Sequence, residues 1–120
     1  MKYYLILDIG GTKTTSVVFD ENGAPVTEFM VFPSRTYEGE EAVFQNTIEA
    51  GYAVLNAAGI DKADILGVGV AAPGPLDYKT GLIIDVPMMG WKNFPLGDRL
   101  RKEFGVPVYV ENDGNLGALA

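Results

Sequence analysis

The feature that most constrains the fold of this chain is an apolar run that ends in a carboxylate followed by two glycines. Residues 5–15 read LILDIGGTKTT, so Asp8 stands at the end of the run, and Gly10 and Gly11 follow it closely. A short, continuous apolar run predicts a strand that is buried on both of its faces. Because α/β folds place ligands at the carboxyl ends of such strands, we expect a ligand site beside Asp8.

The remaining pattern predicts an α/β domain. The Asn22-Gly23 pair between two β-prone runs indicates a hairpin, so the chain is expected to open with three antiparallel strands. The predicted elements are strands over 3–9, 15–20, 25–32, 65–72, 81–86 and 106–110, helices over 40–58 and 96–104, and a last helix that begins within 111–120. Without the short strand at 81–86 their order is βββαβαβα, which predicts a mixed sheet with helices on both faces.

Composition and charge exclude several classes of function. The 120 residues fit one domain and include no cysteine and no histidine. Disulfides, thiolate catalysis and Ser-His-Asp triads are therefore excluded, and a bound metal must take oxygen ligands, which suits Mg²⁺. The net charge of −7, without a cluster of Lys and Arg, argues against a nucleic-acid partner. No segment approaches the ~18 apolar residues of a membrane span, and the amino terminus lacks the pattern of a signal peptide, so we expect a soluble, cytoplasmic protein.

The segment from Asp8 to Lys13 has the chemistry of a polyphosphate site. The glycines let the backbone approach a ligand, and Thr12 and Lys13 add a hydroxyl and an ammonium group to the amides. Asp8 can hold Mg²⁺ directly or through water. A plain turn with a capping aspartate explains the DGG string alone equally well. A second glycine-rich string, GVGVAA at 67–72, lies inside a predicted strand and is rejected as a dinucleotide motif, which opens a helix.

Three further segments are candidates for a substrate site. Asn112 and Asp113 follow a predicted strand, where one can cap the next helix while the other faces a substrate. A carboxylate there can accept a proton from a hydroxyl, which is the role of the base in phosphoryl transfer, and an amide can orient the same substrate. Gly74 lies between two prolines in the segment AAPGPLD at 71–77, which indicates a rigid turn that can present backbone groups to a polar ligand. A plain loop explains the segment at least as well. Trp91 is interpreted as a core residue in preference to a stacking surface for a sugar.

Four segments together resemble the amino-terminal domain of the ROK family, which is named for repressors, open reading frames and kinases. They read LDIGGTKT, GVGVAAPGPLD, GWKNFPL and PVYVENDGNLGALA, in this order, and the similarity runs from about residue 3 to the end of the sequence. The family has the actin-like, ribonuclease-H-like ATPase fold, so the resemblance implies that fold here. ROK kinases transfer the γ-phosphate of ATP to a hydroxyl of a hexose, such as glucose, fructose, mannose or an N-acetylated amino sugar.

The resemblance also implies roles for single residues. Asp113 matches the catalytic base, Asn112 its sugar-binding neighbour, and Gly74 with its loop the wall of the sugar site; Asp113 contacts the sugar as well. The residues that match the first phosphate-binding motif, which binds ATP and Mg²⁺, are Asp8, Gly10, Gly11, Thr12 and Lys13. In this match Asp8 is the residue that binds the metal. Met88 departs from the family pattern, because an asparagine that contacts the sugar usually stands there. A thioether cannot make the hydrogen bonds of an amide, so the sugar, and sugar phosphorylation itself, stay open.

The family's second lobe has no counterpart in this sequence. That lobe carries the adenosine site, a second phosphate loop, the rest of the sugar site and a structural zinc motif, so zinc is expected only there. We therefore expect residues 1–120 to be the amino-terminal lobe of a truncated chain, with negligible kinase activity alone. A bared apolar patch is expected to favour self-association, and the complete protein is a candidate homo-oligomer.

Three alternatives to a sugar kinase remain. A ROK transcriptional regulator carries a helix-turn-helix domain before the ATPase-like domain, and the first strand directly after Met1 disfavours that reading. A sugar-binding protein without catalysis gains support from Met88. An actin-like ATPase that does not act on sugars is less compatible with the four segments together.

Overall fold

The computed structural model describes residues 2–112, apart from the side chains of Tyr37, Met88 and Asn112. The strands are β1 Tyr3–Ile9, β2 Lys13–Asp20, β3 Met30–Pro33, β4 Ile65–Ala72, β5 Leu76–Asp77, β6 Leu82–Val86, β7 Trp91–Phe94 and β8 Val108–Asn112, and the helices are α1 Glu40–Ala58 and α2 Leu96–Phe104. Within the described part of the chain, no helix combines the length and the apolar composition that a membrane crossing needs.

The main sheet is mixed and has five strands in the order β3-β2-β1-β4-β8. The first three strands are antiparallel neighbours, and β4 and β8 run parallel to β1. The predicted mixed sheet is thereby confirmed. A second, three-stranded antiparallel sheet, β5-β6-β7, lies between β4 and α2 in sequence. The prediction of a short strand over 81–86 is confirmed by β6, whereas β5 and β7 were not predicted.

Both described helices cover one face of the main sheet. Leu5, Leu7 and Ile9 alternate along β1 and are completely buried on that face. A side chain at Gly51 of α1 would meet both Leu5 and Phe104 of α2 at 3.1 Å, so the two helices and the strand share one core. The sequence predicted helices on both faces of the sheet. The last predicted helix begins within 111–120, and residues 113–120 lie outside the described part.

The opposite face of the sheet carries exposed apolar side chains. Tyr4 on β1 and Tyr109 on β8 flank Gly67 and Gly69 of β4 by their register, and they are 39% and 63% exposed. Val31 on β3 is 58% exposed. The sequence predicted an apolar patch bared by truncation, and that expectation stays a prediction; the described residues show these three side chains exposed on one face.

The boundaries of both helices agree with the sequence pattern. Glu40 and Glu41 occupy the first turn of α1, where negative charge interacts favourably with the helix dipole. Gly59 and Gly105 follow the last residues of α1 and α2 with φ of 69° each, a left-handed conformation that glycine adopts without steric cost.

The third strand is shorter than predicted. It was expected over 25–32, but only Met30–Pro33 pairs with β2, apart from an isolated bridge between Phe19 and Pro25. The Val18 N–H, which a continuous ladder would use, donates to the Thr27 hydroxyl at 3.1 Å. A side chain therefore replaces a backbone carbonyl, and the strand cannot extend through this point.

Trp91 anchors the small sheet to α1. The indole ring is completely buried, its N–H donates to the Glu40 carbonyl at 3.1 Å, and it stacks on Phe94 with ring centroids 4.8 Å apart. The interpretation of Trp91 as a core residue is confirmed.

Arg99 of α2 adds a second contact to α1. Its guanidinium lies 4.1 Å from the centroid of the Phe44 ring and donates two 2.8 Å hydrogen bonds to the Glu41 carboxylate. These hydrogen bonds lower the pKa of the Glu41 carboxyl.

Replacing Trp91 with phenylalanine is expected to lower the free energy of unfolding by about 1–3 kcal/mol, because it removes a buried hydrogen bond and leaves a cavity. Denaturant titration of the variant and of Tyr78→Phe, whose ring is 54% exposed, measures the difference. A Trp91→Phe variant as stable as Tyr78→Phe would contradict this account of the anchor.

Candidate functional site

Three parallel strands end at the same edge of the main sheet. By register, Asp8 of β1 pairs with Ala71 of β4, and Ala71 pairs with Glu111 of β8. Because adjacent strands lie ~4.8 Å apart, the α-carbons of Asp8 and Glu111 are roughly 10 Å apart on one face of the sheet. Ala72 pairs with Asn112, so the backbone of Asn112 reaches this edge too. The side chain of Asn112 and all of Asp113 lie outside the described residues.

Asp8 is half-buried on the face of the sheet that α1 and α2 leave uncovered. Burial raises the pKa of the Asp8 carboxyl above its ordinary value, and the positive charge of Lys13 acts in the opposite direction. Removing a carboxylate from water is costly unless a cation accompanies it. The position therefore favours a bound positive charge beside Asp8 at neutral pH.

Residues 8–13, named the glycine loop here, reverse the chain between β1 and β2. The Gly10 N–H donates to the Lys13 carbonyl at 2.9 Å. A Cβ built on Gly10 would lie 2.9 Å from that same oxygen, a distance that real Cβ atoms do not tolerate. The side chains of Thr12 and Lys13 are exposed. The loop thus combines a tight turn, in which Gly10 lies close to the Lys13 carbonyl, with an exposed hydroxyl and an exposed ammonium group.

The glycine loop is fastened to the end of β3 by Ser34. The Ser34 hydroxyl donates to the Gly10 carbonyl at 2.7 Å, and the Ser34 N–H donates to the Thr12 carbonyl at 3.0 Å. The Thr14 and Ser34 hydroxyl oxygens are 2.9 Å apart. Sequence reasoning missed Ser34, since no motif marks it and the register of β2 with β3 alone brings it to the loop.

Glu111 was also missed by sequence reasoning. Its carboxylate belongs to the same sheet face as Asp8, which only the β1-β4-β8 register makes visible. Within residues 2–112 no group of three or more Asp and Glu side chains is placed to hold a metal ion. A carboxylate oxygen next to an amide-bearing loop nevertheless fits a Mg²⁺ ion that brings phosphate oxygens as its further ligands.

The turn at Gly74 lies just beyond the same edge. It follows Ala72, the β4 residue that pairs with Asn112, and it leads into β5 through the cis peptide bond between Gly74 and Pro75. The Ile84 N–H donates to the Pro75 carbonyl at 2.9 Å, which holds the turn against the small sheet. The structure therefore places the Gly74 turn next to the ends of β4 and β8.

Trp91 and Met88 were both considered in relation to a sugar site. Trp91 is completely buried, so the alternative that it offers a stacking surface to a sugar is wrong for this structure. Met88 belongs to a short 3₁₀ turn, Pro87–Met89, and its side chain lies outside the described part.

Comparisons with solved structures define the class of fold. A ROK hexokinase from Thermus thermophilus superimposes with a TM-score of 0.82 over 98% of this chain, at 33% sequence identity. A ROK glucokinase from Streptomyces griseus, solved in complex with glucose and AMPPNP, gives a TM-score of 0.81 over 97% of this chain at 29% identity. The chain has the mixed α/β fold of these actin-like ATPases, as the sequence predicted.

Sequence comparison then gives the family. The profile of the ROK family matches residues 4–120, and the chain belongs to the ROK family. A glucokinase from Halalkalibacterium halodurans is 32% identical over 118 residues. A putative xylose repressor from Caldicellulosiruptor is 30% identical over 82 residues, which cover 68% of this chain and 21% of the repressor.

The chain spans about a third of the length of the relatives that it matches. The matches cover 97–98% of this chain but only 36% of the Halalkalibacterium glucokinase, 37% of the Thermus hexokinase and 35% of the Streptomyces glucokinase. Relatives in this family therefore consist of this region and a much longer remainder.

Proposed function

We propose that this chain is the amino-terminal lobe of an ATP-dependent hexose kinase of the glucokinase type. The observation that carries the proposal is the convergence of the glycine loop and the end of β8 with Asn112 at one edge of the main sheet. A loop for phosphates and a site for a hydroxyl must lie side by side for a phosphoryl group to pass between them. The Streptomyces relative solved with glucose and AMPPNP supports this pairing of ligands.

The glycine loop provides the groups that a Mg-ATP complex requires. Asp8 would hold Mg²⁺ directly or through water, and the bound ion would neutralise negative charge on the phosphates. The Lys13 ammonium and the Thr12 hydroxyl would bind phosphate oxygens, with the Gly11 amide close to them, while the Gly10 N–H stays bonded to the Lys13 carbonyl within the loop. Gly10 permits the tight turn of the loop, because a Cβ there would lie 2.9 Å from the Lys13 carbonyl oxygen.

The end of β8 would supply the acceptor side of the reaction. Asp113 would accept the proton of the attacking sugar hydroxyl, and Asn112 would orient that sugar through its amide. The Gly74 turn, held by Pro75, would form the wall of the sugar site. These groups bind, orient and move one proton, which is what an in-line phosphoryl transfer leaves to the protein.

A sugar-sensing regulator or a sugar-binding protein without catalysis is the second candidate. A putative xylose repressor is among the relatives, which favours this candidate. The resemblance to the family also implies that an asparagine usually stands where this chain has Met88. Both candidates bind a sugar at the same edge, and they differ in whether ATP is turned over.

The complete polypeptide that contains this chain is expected to release ADP from Mg-ATP only in the presence of its hexose, whereas residues 1–120 alone are expected to show negligible activity. The reason is that adenosine contacts, the remaining sugar contacts and any zinc site are assigned to a second lobe. A coupled ADP assay with a panel of hexoses and N-acetylated amino sugars measures both. Full turnover by residues 1–120 would contradict the assignment of a missing lobe. Sugar binding without any ADP release by the complete protein would favour the second candidate.

The proposal includes a cytoplasmic protein that has no nucleic-acid or membrane partner. The complete protein stays a candidate homo-oligomer.

A further inference from the structure

We propose that Ser34 is a positioning residue that sets the glycine loop in the conformation that binds nucleotide phosphates. This inference rests on the proposed function, because it assumes that the loop binds phosphates. Ser34 follows β3 directly and is completely buried. It holds the loop at two points, with its hydroxyl on the Gly10 carbonyl and its N–H on the Thr12 carbonyl.

The direction of the hydrogen bonds around Ser34 follows from the chemistry of the partners. A carbonyl oxygen only accepts, so the single proton of the Ser34 hydroxyl is given to Gly10. The hydroxyl oxygen of Ser34 is then free to accept, and Thr14 must be the donor of the 2.9 Å contact between the two hydroxyls. Thr14 is completely buried as well, so the bond between the two hydroxyls is shielded from water, and the bond to the Gly10 carbonyl is partly buried.

The bond from Ser34 to Gly10 orients an amide of the loop. The peptide between Gly10 and Gly11 is trans, so its carbonyl and its N–H point in opposite directions. Because Ser34 holds the Gly10 carbonyl on the protein side, the Gly11 N–H points away from Ser34. An amide with a fixed direction binds an anionic oxygen without first losing conformational freedom, which is the advantage of preorganised donors.

The end of β3 that presents Ser34 is itself fixed to α1. The Asn46 side-chain amide donates to the Pro33 carbonyl at 2.6 Å, and Asn46 is 7% exposed. Pro33 pairs with Lys13 in the register of β3 with β2. The glycine loop is therefore connected to the helix layer through Ser34, Pro33 and Asn46, and does not depend on its own short turn alone.

The test uses the complete polypeptide with Ser34→Ala, and Thr47→Val as a matched control. Thr47 is also a completely buried hydroxyl, but its bond goes to the Val43 carbonyl within α1, far in sequence from the loop. In Ser34→Ala we expect the Kd and KM for Mg-ATP to rise about tenfold, because the loss of one buried hydrogen bond frees the loop. The KM for the sugar is expected to stay unchanged, and Thr47→Val is expected to change neither constant.

Amide hydrogen exchange gives a readout that does not depend on turnover. In Ser34→Ala the peptide that covers residues 9–14 is expected to exchange faster than in the unsubstituted protein, while the peptides of α2 keep their rates. Thr14→Val, which leaves the bond from Ser34 to Gly10 in place, is expected to have a smaller effect on exchange and on Mg-ATP binding than Ser34→Ala.

The outcomes separate this proposal from the proposed function. Unchanged exchange in residues 9–14, or an equal effect of Thr14→Val and Ser34→Ala, overturns the positioning role whatever the protein catalyses. Faster exchange with an unchanged Kd for Mg-ATP overturns the link to the nucleotide. If the unsubstituted protein binds no Mg-ATP at all, the proposed function fails, and faster exchange then assigns to Ser34 a purely structural role.

Discussion

Replacing Asp113 with asparagine is expected to lower the sugar-dependent release of ADP by the complete protein by about 10²-fold or more. Asparagine has nearly the same shape and can still form hydrogen bonds to a sugar, but it cannot accept a proton. Asp113 follows directly on Asn112, whose backbone pairs with Ala72 at the edge that also carries the glycine loop. The expected loss therefore falls on kcat, with sugar binding largely kept.

Asp98→Asn is the control for the loss of one negative charge. Asp98 lies on α2, its side chain is 71% exposed, and its carboxylate binds Arg101 at 2.8 Å. An exposed ion pair of this kind contributes little to stability, so we expect this variant to keep its activity. An Asp113→Asn protein with more than a tenth of the original rate would contradict a general base at this position. Equal losses in both variants would point to unfolding and not to chemistry.

The sequence predicted the elements that have a strong period or a clear end. The bounds of β1, β4, α1 and α2 agree with prediction. A continuous apolar run indicates a buried strand, and a helical period that ends at a glycine indicates a helix with a defined end. The small sheet was missed since β5 has two residues and β7 has a polar centre, neither of which gives a recognisable period. Their pairing depends on contacts distant in sequence.

The site was predictable to the extent that its residues are contiguous. The glycine loop and the end of β8 each carry a local signal, a carboxylate or an amide after an apolar strand. Ser34 and Glu111 carry none, because Ser34 reaches the loop through the pairing of β2 with β3, and Glu111 reaches the face of Asp8 through two parallel strand pairs. The register between strands is set by the whole sheet, and local patterns in a single sequence do not reveal it.

Replacing Gly10 with alanine is expected to lower kcat/KM for Mg-ATP on the order of 10²-fold, because a shift of about 1 Å in a positioning group has effects of that size. The new Cβ would lie 2.9 Å from the Lys13 carbonyl oxygen, which is backbone and already accepts the Gly10 N–H. The clash cannot be relieved by a side-chain rotation, so the glycine loop itself must move. Movement of the loop would shift the Gly11 amide from the position in which it is proposed to face the phosphates. Steady-state kinetics with varied ATP at saturating sugar measures the result.

Gly59→Ala separates this local effect from a general loss of stability. Gly59 ends α1 in a left-handed conformation, and a Cβ built there meets no atom within 4 Å. Alanine at such a position costs roughly 1–2 kcal/mol of backbone strain without touching the glycine loop. We expect Gly59→Ala to unfold at lower temperature and to keep its kinetics with Mg-ATP, whereas Gly10→Ala loses the kinetics at temperatures where it is still folded. A Gly10→Ala protein with an unchanged kcat/KM for Mg-ATP would mean that the nucleotide does not bind at this loop.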